Sequence, residues 1–183
     1  MDIFQLTKSK TREKILRLFF ADPGKKYYLR ELERLLKVTV GNIRRELMIL
    51  EKTSLFKHEA GGREVYYFLN QQAPFFEDIK NLVSKTIGAE GALKKELSGI
   101  RGIKRAFIFG SFAKKKERPA SDIDLMIIGE VDENTLIDKI SRLEKFLKRE
   151  INYHLVDERE WQKKRQSDSF VKAIIKNPQI EII

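Results

Sequence analysis

Apolar residues recur at helical spacing through the first fifty positions. In TREKILRLFFADP, Ile15, Leu18 and Phe19 form one stripe, and Pro23-Gly24 predicts the stop. YYLRELERLLKV repeats the period with Leu29, Leu32, Leu35 and Leu36, which predicts a second, shorter helix. Past a turn at Lys37 and Val38, Thr39 stands where it can cap a third helix with Val40, Ile43, Leu47 and Leu50 on its apolar side. The opposite side carries Asn42, Arg44, Arg45 and Met48. The period then falls to two. LFKHEAGGREVYYFLN alternates around Gly61-Gly62, the turn chemistry of a β-hairpin, with Lys57 and Arg63 expected near its tip and His58 a structural residue of its first strand.

Helical spacing returns in QQAPFFEDIKNLVSKTIG, where Phe75, Phe76, Ile79, Leu82 and Val83 make a stripe after Pro74. That stripe is expected to face a second domain or another subunit; a linker helix packed within one chain is the alternative. AEGALKKELSGI predicts another short helix, and RAFIFG a buried strand ending at Gly110-Ser111, with FAKKK opening a helix. SDIDLMIIG reads as the next strand, and DENTLIDKISRLEKFLKRE as an amphipathic helix with Leu136, Ile140, Leu143 and Leu147 inside. REINYHLV is a third strand, and EREWQKKRQSDSFVKAIIKNP a terminal helix in which Trp161 and Phe170 pack. The closing IEII is a last short strand or a docking tail.

A chain of 183 residues can bury two small cores. No apolar run is long enough to span a bilayer, and the start MDIFQLTKSK has no secretory character, so a cytoplasmic protein without a membrane is expected. Cysteine is absent, which excludes disulfides, zinc fingers and thiol catalysis, and His58 and His154 are too few for a histidine metal cluster. The net charge of +10 favours polyanionic partners. The surplus lies ahead of position 121, and the remainder, beginning at the aspartate pair, is slightly acidic.

Bare carboxylates at the edge of an apolar run are costly. Alternation along a strand puts Asp122 and Asp124 on one side and Ile123 and Leu125 on the other. Two like charges that close repel unless cations hold them, and Mg²⁺ takes one or two carboxylates together with phosphate oxygens. At the preceding strand end, Gly110 lets the backbone approach closely, and amides at a helix start receive phosphate.

Two resemblances follow from these stretches. TVGNIRRELMILEKTSLF followed by GGREVYYFLN resembles the ArsR-type winged helix-turn-helix regulators over residues 1–70. It implies double-stranded DNA as a partner and, through the helix at 71–88, a homodimer. A helix fits the major groove and Arg and Asn match base edges, which places Thr39, Asn42, Arg44 and Arg45 at the groove and Lys57 and Arg63 on the wing. A winged helix used for protein contact is the rival reading.

GSFAKKKERPASDIDL is similar to the signature of minimal nucleotidyltransferases in the DNA polymerase β superfamily. The resemblance implies that Gly110 and Ser111 cradle a triphosphate, that Asp122 and Asp124 hold two Mg²⁺ ions, and that Ser121 orients the first aspartate. Lys114 and Lys115 stand where the family often has Arg-Gly, beside the implied triphosphate; a plain basic loop is the alternative. The third carboxylate of the family falls on Asn152, which carries no charge and cannot act as a base, with Glu150 or His154 as substitutes.

The expectation is therefore two domains. An α+β winged helix-turn-helix domain at 1–70 and a connecting or dimerisation helix at 71–88 precede a small α/β nucleotidyltransferase-fold domain with a mixed sheet at 89–183. The resemblances imply a transcriptional regulator that transfers a nucleotidyl group from a nucleoside triphosphate, ATP first, to an unknown acceptor such as a protein or toxin partner. A regulator with a non-catalytic nucleotide sensor is the alternative.

Overall fold

The computed structural model describes residues 9–114 and 121–183. The chain divides into two compact units, one through Gly88 and one from Ala89 onward. Among the described residues no helix is long and apolar enough to cross a membrane.

In the first unit, α1 (Lys10–Ala21) starts where Ser9 Oγ accepts the amide of Arg12 at 3.3 Å. It is followed by a two-residue strand β1 (Tyr27–Tyr28), α2 (Leu29–Leu36), α3 (Val40–Glu51) and the hairpin β2 (Phe56–Gly61) and β3 (Glu64–Leu69). The sheet order is β1-β3-β2, all antiparallel. Ile15, Leu16, Phe19, Leu32, Ile43, Leu47 and Phe56 form its core. Leu16 joins Ile15 and Phe19 as fully buried on α1, Leu18 packs partly buried against the same core, and Leu35, expected inside, is exposed on α2. Thr39 occupies the N-cap of α3 but makes no side-chain capping bond; Glu33 Oε1 accepts the Val40 amide at 3.2 Å instead.

The stripe of α4 (Phe76–Thr86) joins this same core through Phe76, Ile79 and Val83, with Phe76 stacked on Phe20 at 5.7 Å. The alternative of packing within one chain thus accounts for the residues expected to face a second domain or another subunit.

The second unit opens with α5 (Ala89–Leu97) and builds a mixed four-stranded sheet in the order β6-β5-β4-β7. β4 (Ile103–Phe109) pairs antiparallel with β5 (Ile123–Gly129), and β5 runs parallel to β6 (Ile151–Val156) across the helix α7 (Glu133–Leu147). The tail closes the sheet, since β7 (Ile180–Glu181) pairs antiparallel with β4. Alternation sorts the two faces. Ala106, Ile108, Ile123, Leu125, Ile127 and Ile151 pack with α5 and α7, and Phe107, Phe109, Met126, Ile128 and Val156 pack with Trp161, Val171 and Ile174.

The expected single terminal helix is two, α8 (Glu158–Ser167) and α9 (Ser169–Lys176). Asp157 caps the first and Asp168 the second, so the chain breaks and restarts at Asp168.

Candidate functional site

The site forms where the second face of the sheet outruns its helical cover. Three strands present one row there, because Phe109 is registered opposite Asp124 and Asp124 opposite Asn152. Strand parity then puts His154 on the same side as Asn152, as the sequence predicts. Gly110, Lys114, Asp124, Asn152 and His154 line one cleft of about 800 Å³.

Gly110 ends β4 at φ +73°, a left-handed conformation that L side chains avoid. A Cβ at this position would lie 2.1 Å from Asp124 Oδ2, so the bend and the carboxylate need a residue without a side chain. The helix expected at FAKKK is a single turn, α6 (Gly110–Ala113), and it already begins at the glycine. Ser111 is half-buried in that turn, and Lys114 is exposed at its end. Lys115 lies outside the described residues.

Asp122 is exposed just ahead of β5, whereas Asp124 is half-buried within it. Burial is the main reason the Asp124 carboxyl holds its proton to higher pH than usual; the charge of Asp122 adds to this and His154 opposes it. Asn152 Nδ2 donates to Asp122 Oδ2 at 3.2 Å, offering an amide dipole where the resemblance implies a third negative charge. Ser121 is held through its carbonyl, which accepts from Arg149 Nε at 2.8 Å.

This donor set suits a hard divalent cation. Among the described residues no group of three or more His, Asp or Glu side chains could hold a metal, so Asp122 and Asp124 make only part of a ligand set. Mg²⁺ accepts such a pair when substrate oxygens and water supply the other positions. Turning the Asn152 amide over would add a neutral oxygen to the set.

Reading the sequence alone misses one cleft residue. His154, offered as a substitute for the third carboxylate, is an exposed residue that lines the cleft; Phe170, expected to pack, lines it too with 47% of its surface exposed.

In the first unit Asn42, Arg44 and Arg45 are exposed along α3, with Thr39 exposed at its start. Gly41, Arg44, Arg45, Met48, Ile49 and Lys52 surround a shallow hollow of about 320 Å³. Arg63 sits exposed in the hairpin turn, as expected, but Lys57 is the second residue of β2 and stands near the hairpin base, because the strands are six residues long. His58 is bonded to Glu51 through its ring nitrogen, a structural role.

No curated protein matches the chain. Among solved structures, a toxin-antitoxin with AMP-PNP is 20% identical over 51% of this chain and 72% of its own, with a TM-score of 0.37. A protein from Sulfolobus solfataricus described as a candidate nucleotidyltransferase is 24% identical over 41% of this chain and 68% of its own, with a TM-score of 0.30. Residues 91–180, which carry the whole row from Phe109 to Asn152 and the helices behind it, match the family model of the nucleotidyltransferase domain.

Proposed function

We propose that the second unit binds a nucleoside triphosphate, ATP first, with Mg²⁺ and transfers its nucleotidyl group to an acceptor oxygen, with the bond between α- and β-phosphate broken and pyrophosphate released. The observation that carries this reading is the placement of Asp124 directly over the Gly110 bend, on the wall of a cleft within the size range of small-ligand sites. Asp122 and Asp124 hold the cation, which when bound offsets the charge of both carboxylates and phosphate. Gly110 leaves room for the Asp124 carboxylate at the strand end, Ser111 follows it in the same turn, and Lys114 draws anions to the cleft wall. Asn152 positions Asp122 by its hydrogen bond.

Labelled ATP and Mg²⁺ added to lysate test this, with Asp122→Ala/Asp124→Ala as the control. Label transferred only by the native chain is expected; equal labelling by both ends the claim of catalysis.

Asn152 favours a second reading, in which the unit senses the nucleotide without turning it over, since an amide cannot take the acceptor's proton. Asn152→Asp separates the two. A sensor gains transfer activity it lacked, whereas a working enzyme changes little.

For the first unit the proposal is a winged helix-turn-helix that binds double-stranded DNA. Its support is the exposure of Asn42, Arg44 and Arg45 on α3, ahead of a hairpin that carries Arg63 in its turn. Binding of random duplex at low salt, weakened in Arg44→Ala/Arg45→Ala, is expected; no binding at low salt would leave protein contact as the role of this surface.

A further inference from the structure

The cleft beside Asp124 has an aromatic edge that transfer chemistry leaves unused. Phe170 is the second residue of α9, whose start is fixed by Asp168 Oδ1 accepting the Val171 amide at 3.0 Å. Val171 and Ile174 supply the buried stripe of that helix, and Phe170 stands off it with 47% of its surface exposed. A lone exposed ring needs no explanation. This one has company from two other elements, with its centroid 5.9 Å from Phe109 on β4 and 5.4 Å from His154 on β6.

All three rings line the cleft that Gly110 and Asp124 line. Phe109 is registered opposite Asp124, and His154 lies two residues past Asn152, a rise of about 7 Å along the strand. The aromatic edge therefore begins beside the carboxylates and runs away from them. The contacts of Phe170 are tilted or edge-on, at 80° to Phe109 and 57° to His154, so neither ring lies parallel to it, and nearly half of its surface stays open. Every nucleobase has a flat π surface that stacks on such a face, and stacking of this kind tolerates base identity.

We infer that Phe170, braced by His154 and Phe109, seats the base of the nucleoside triphosphate. The inference rests on the transfer reading for the position of the phosphates, and it adds where the other end of the same molecule lies.

Titration calorimetry on the full chain with Mg²⁺ tests it, using the four nucleoside triphosphates and inorganic tripolyphosphate, which has no base. Phe170→Ala is expected to weaken the tightest nucleotide about tenfold, the size of one lost base-stacking contact, and to leave tripolyphosphate unchanged. Phe170→Tyr restores nucleotide binding. If Phe170→Ala binds nucleotide as tightly as the native chain, or loses nucleotide and tripolyphosphate equally, the base is not seated here, and the phosphate reading survives. If the native chain binds neither ligand, the phosphate reading fails and this inference with it. Should Phe170→Ala not fold, Phe170→Leu, which keeps an apolar side chain and removes the ring, is read in the same way.

Discussion

Gly110 and Asp124 constrain one another. The backbone at Gly110 is left-handed, and Asp124 Oδ2 occupies the space a side chain would need. Gly110→Ala meets both obstacles at once. We expect it to cost about 1–2 kcal/mol for the backbone alone, with more for moving the carboxylate, and to abolish binding of nucleotide with Mg²⁺. Chemical denaturation and calorimetry check the two effects separately. Asp124 also gives a pH signature. Its carboxyl is raised in the fold, first by burial and then by Asp122, so the folded state binds the proton more tightly than the unfolded chain. Such a group lowers stability as pH rises past its ordinary value of 3.8, and the loss is complete above the raised value. Asp124→Asn should therefore raise the thermal midpoint at pH 7 in EDTA, and the gain should vanish below about pH 4. Mg²⁺ with nucleotide should raise the midpoint of the native chain and not that of the variant. The sequence announces this pair because glycine, the two aspartates and Asn152 sit at strand ends whose alternation is plain. It hides Phe170 because an aromatic ring in an amphipathic helix usually packs, and only its position next to Val171 and Ile174 shows that other residues fill that role.

The placement of α3 depends on a charge that periodicity hides. Glu46 follows two exposed arginines in sequence, yet it is 3% exposed. Ser9 Oγ donates to its Oε1 at 2.8 Å, and the Arg12 guanidinium lies 2.7–2.8 Å from its Oε2, which ties α1 to α3. Hydrophobic spacing found α3 correctly but could not show this, because a buried carboxylate reads as solvent-facing until its partner on another helix is known. Glu46→Ala takes away the carboxylate facing a mostly buried guanidinium, so a loss of about 3–5 kcal/mol in the first unit is expected from urea denaturation. The N-terminus of the same helix makes the opposite point. Thr39 has the right residue type for a cap, but Glu33 does the capping. Thr39→Ala should leave stability within about 0.5 kcal/mol, and Glu33→Ala should lose about 1 kcal/mol, measured in the same way. Any effect of Thr39→Ala on DNA binding then reports contact with the duplex and not the state of the helix.

Each unit is closed on its own terms. The stripe of α4 completes the first core, since Phe76, Ile79 and Val83 pack there before the second unit begins. The second core starts with Leu93 and Leu97 on α5 and fills both faces of a sheet whose strands all come from residues 103–181. No strand is shared, since β1, β2 and β3 make one sheet and β4 to β7 the other. Composition could suggest two cores from length alone, but the border depended on α4, whose apolar side has the same pattern whether it meets its own unit or a neighbour. A chain cut between Gly88 and Ala89 should give two fragments that each unfold cooperatively, followed by far-UV circular dichroism against urea. The fragment from Ala89 should bind nucleotide with Mg²⁺ as the full chain does, because every described cleft residue lies within it. The fragment through Gly88 should keep the DNA shift, with a salt slope reduced by about 2 in Arg44→Ala/Arg45→Ala if each arginine meets one phosphate. A fragment from Ala89 that fails to unfold cooperatively would mean that its sheet needs the first unit to hold it, and the division at Gly88 would then describe geometry without describing stability.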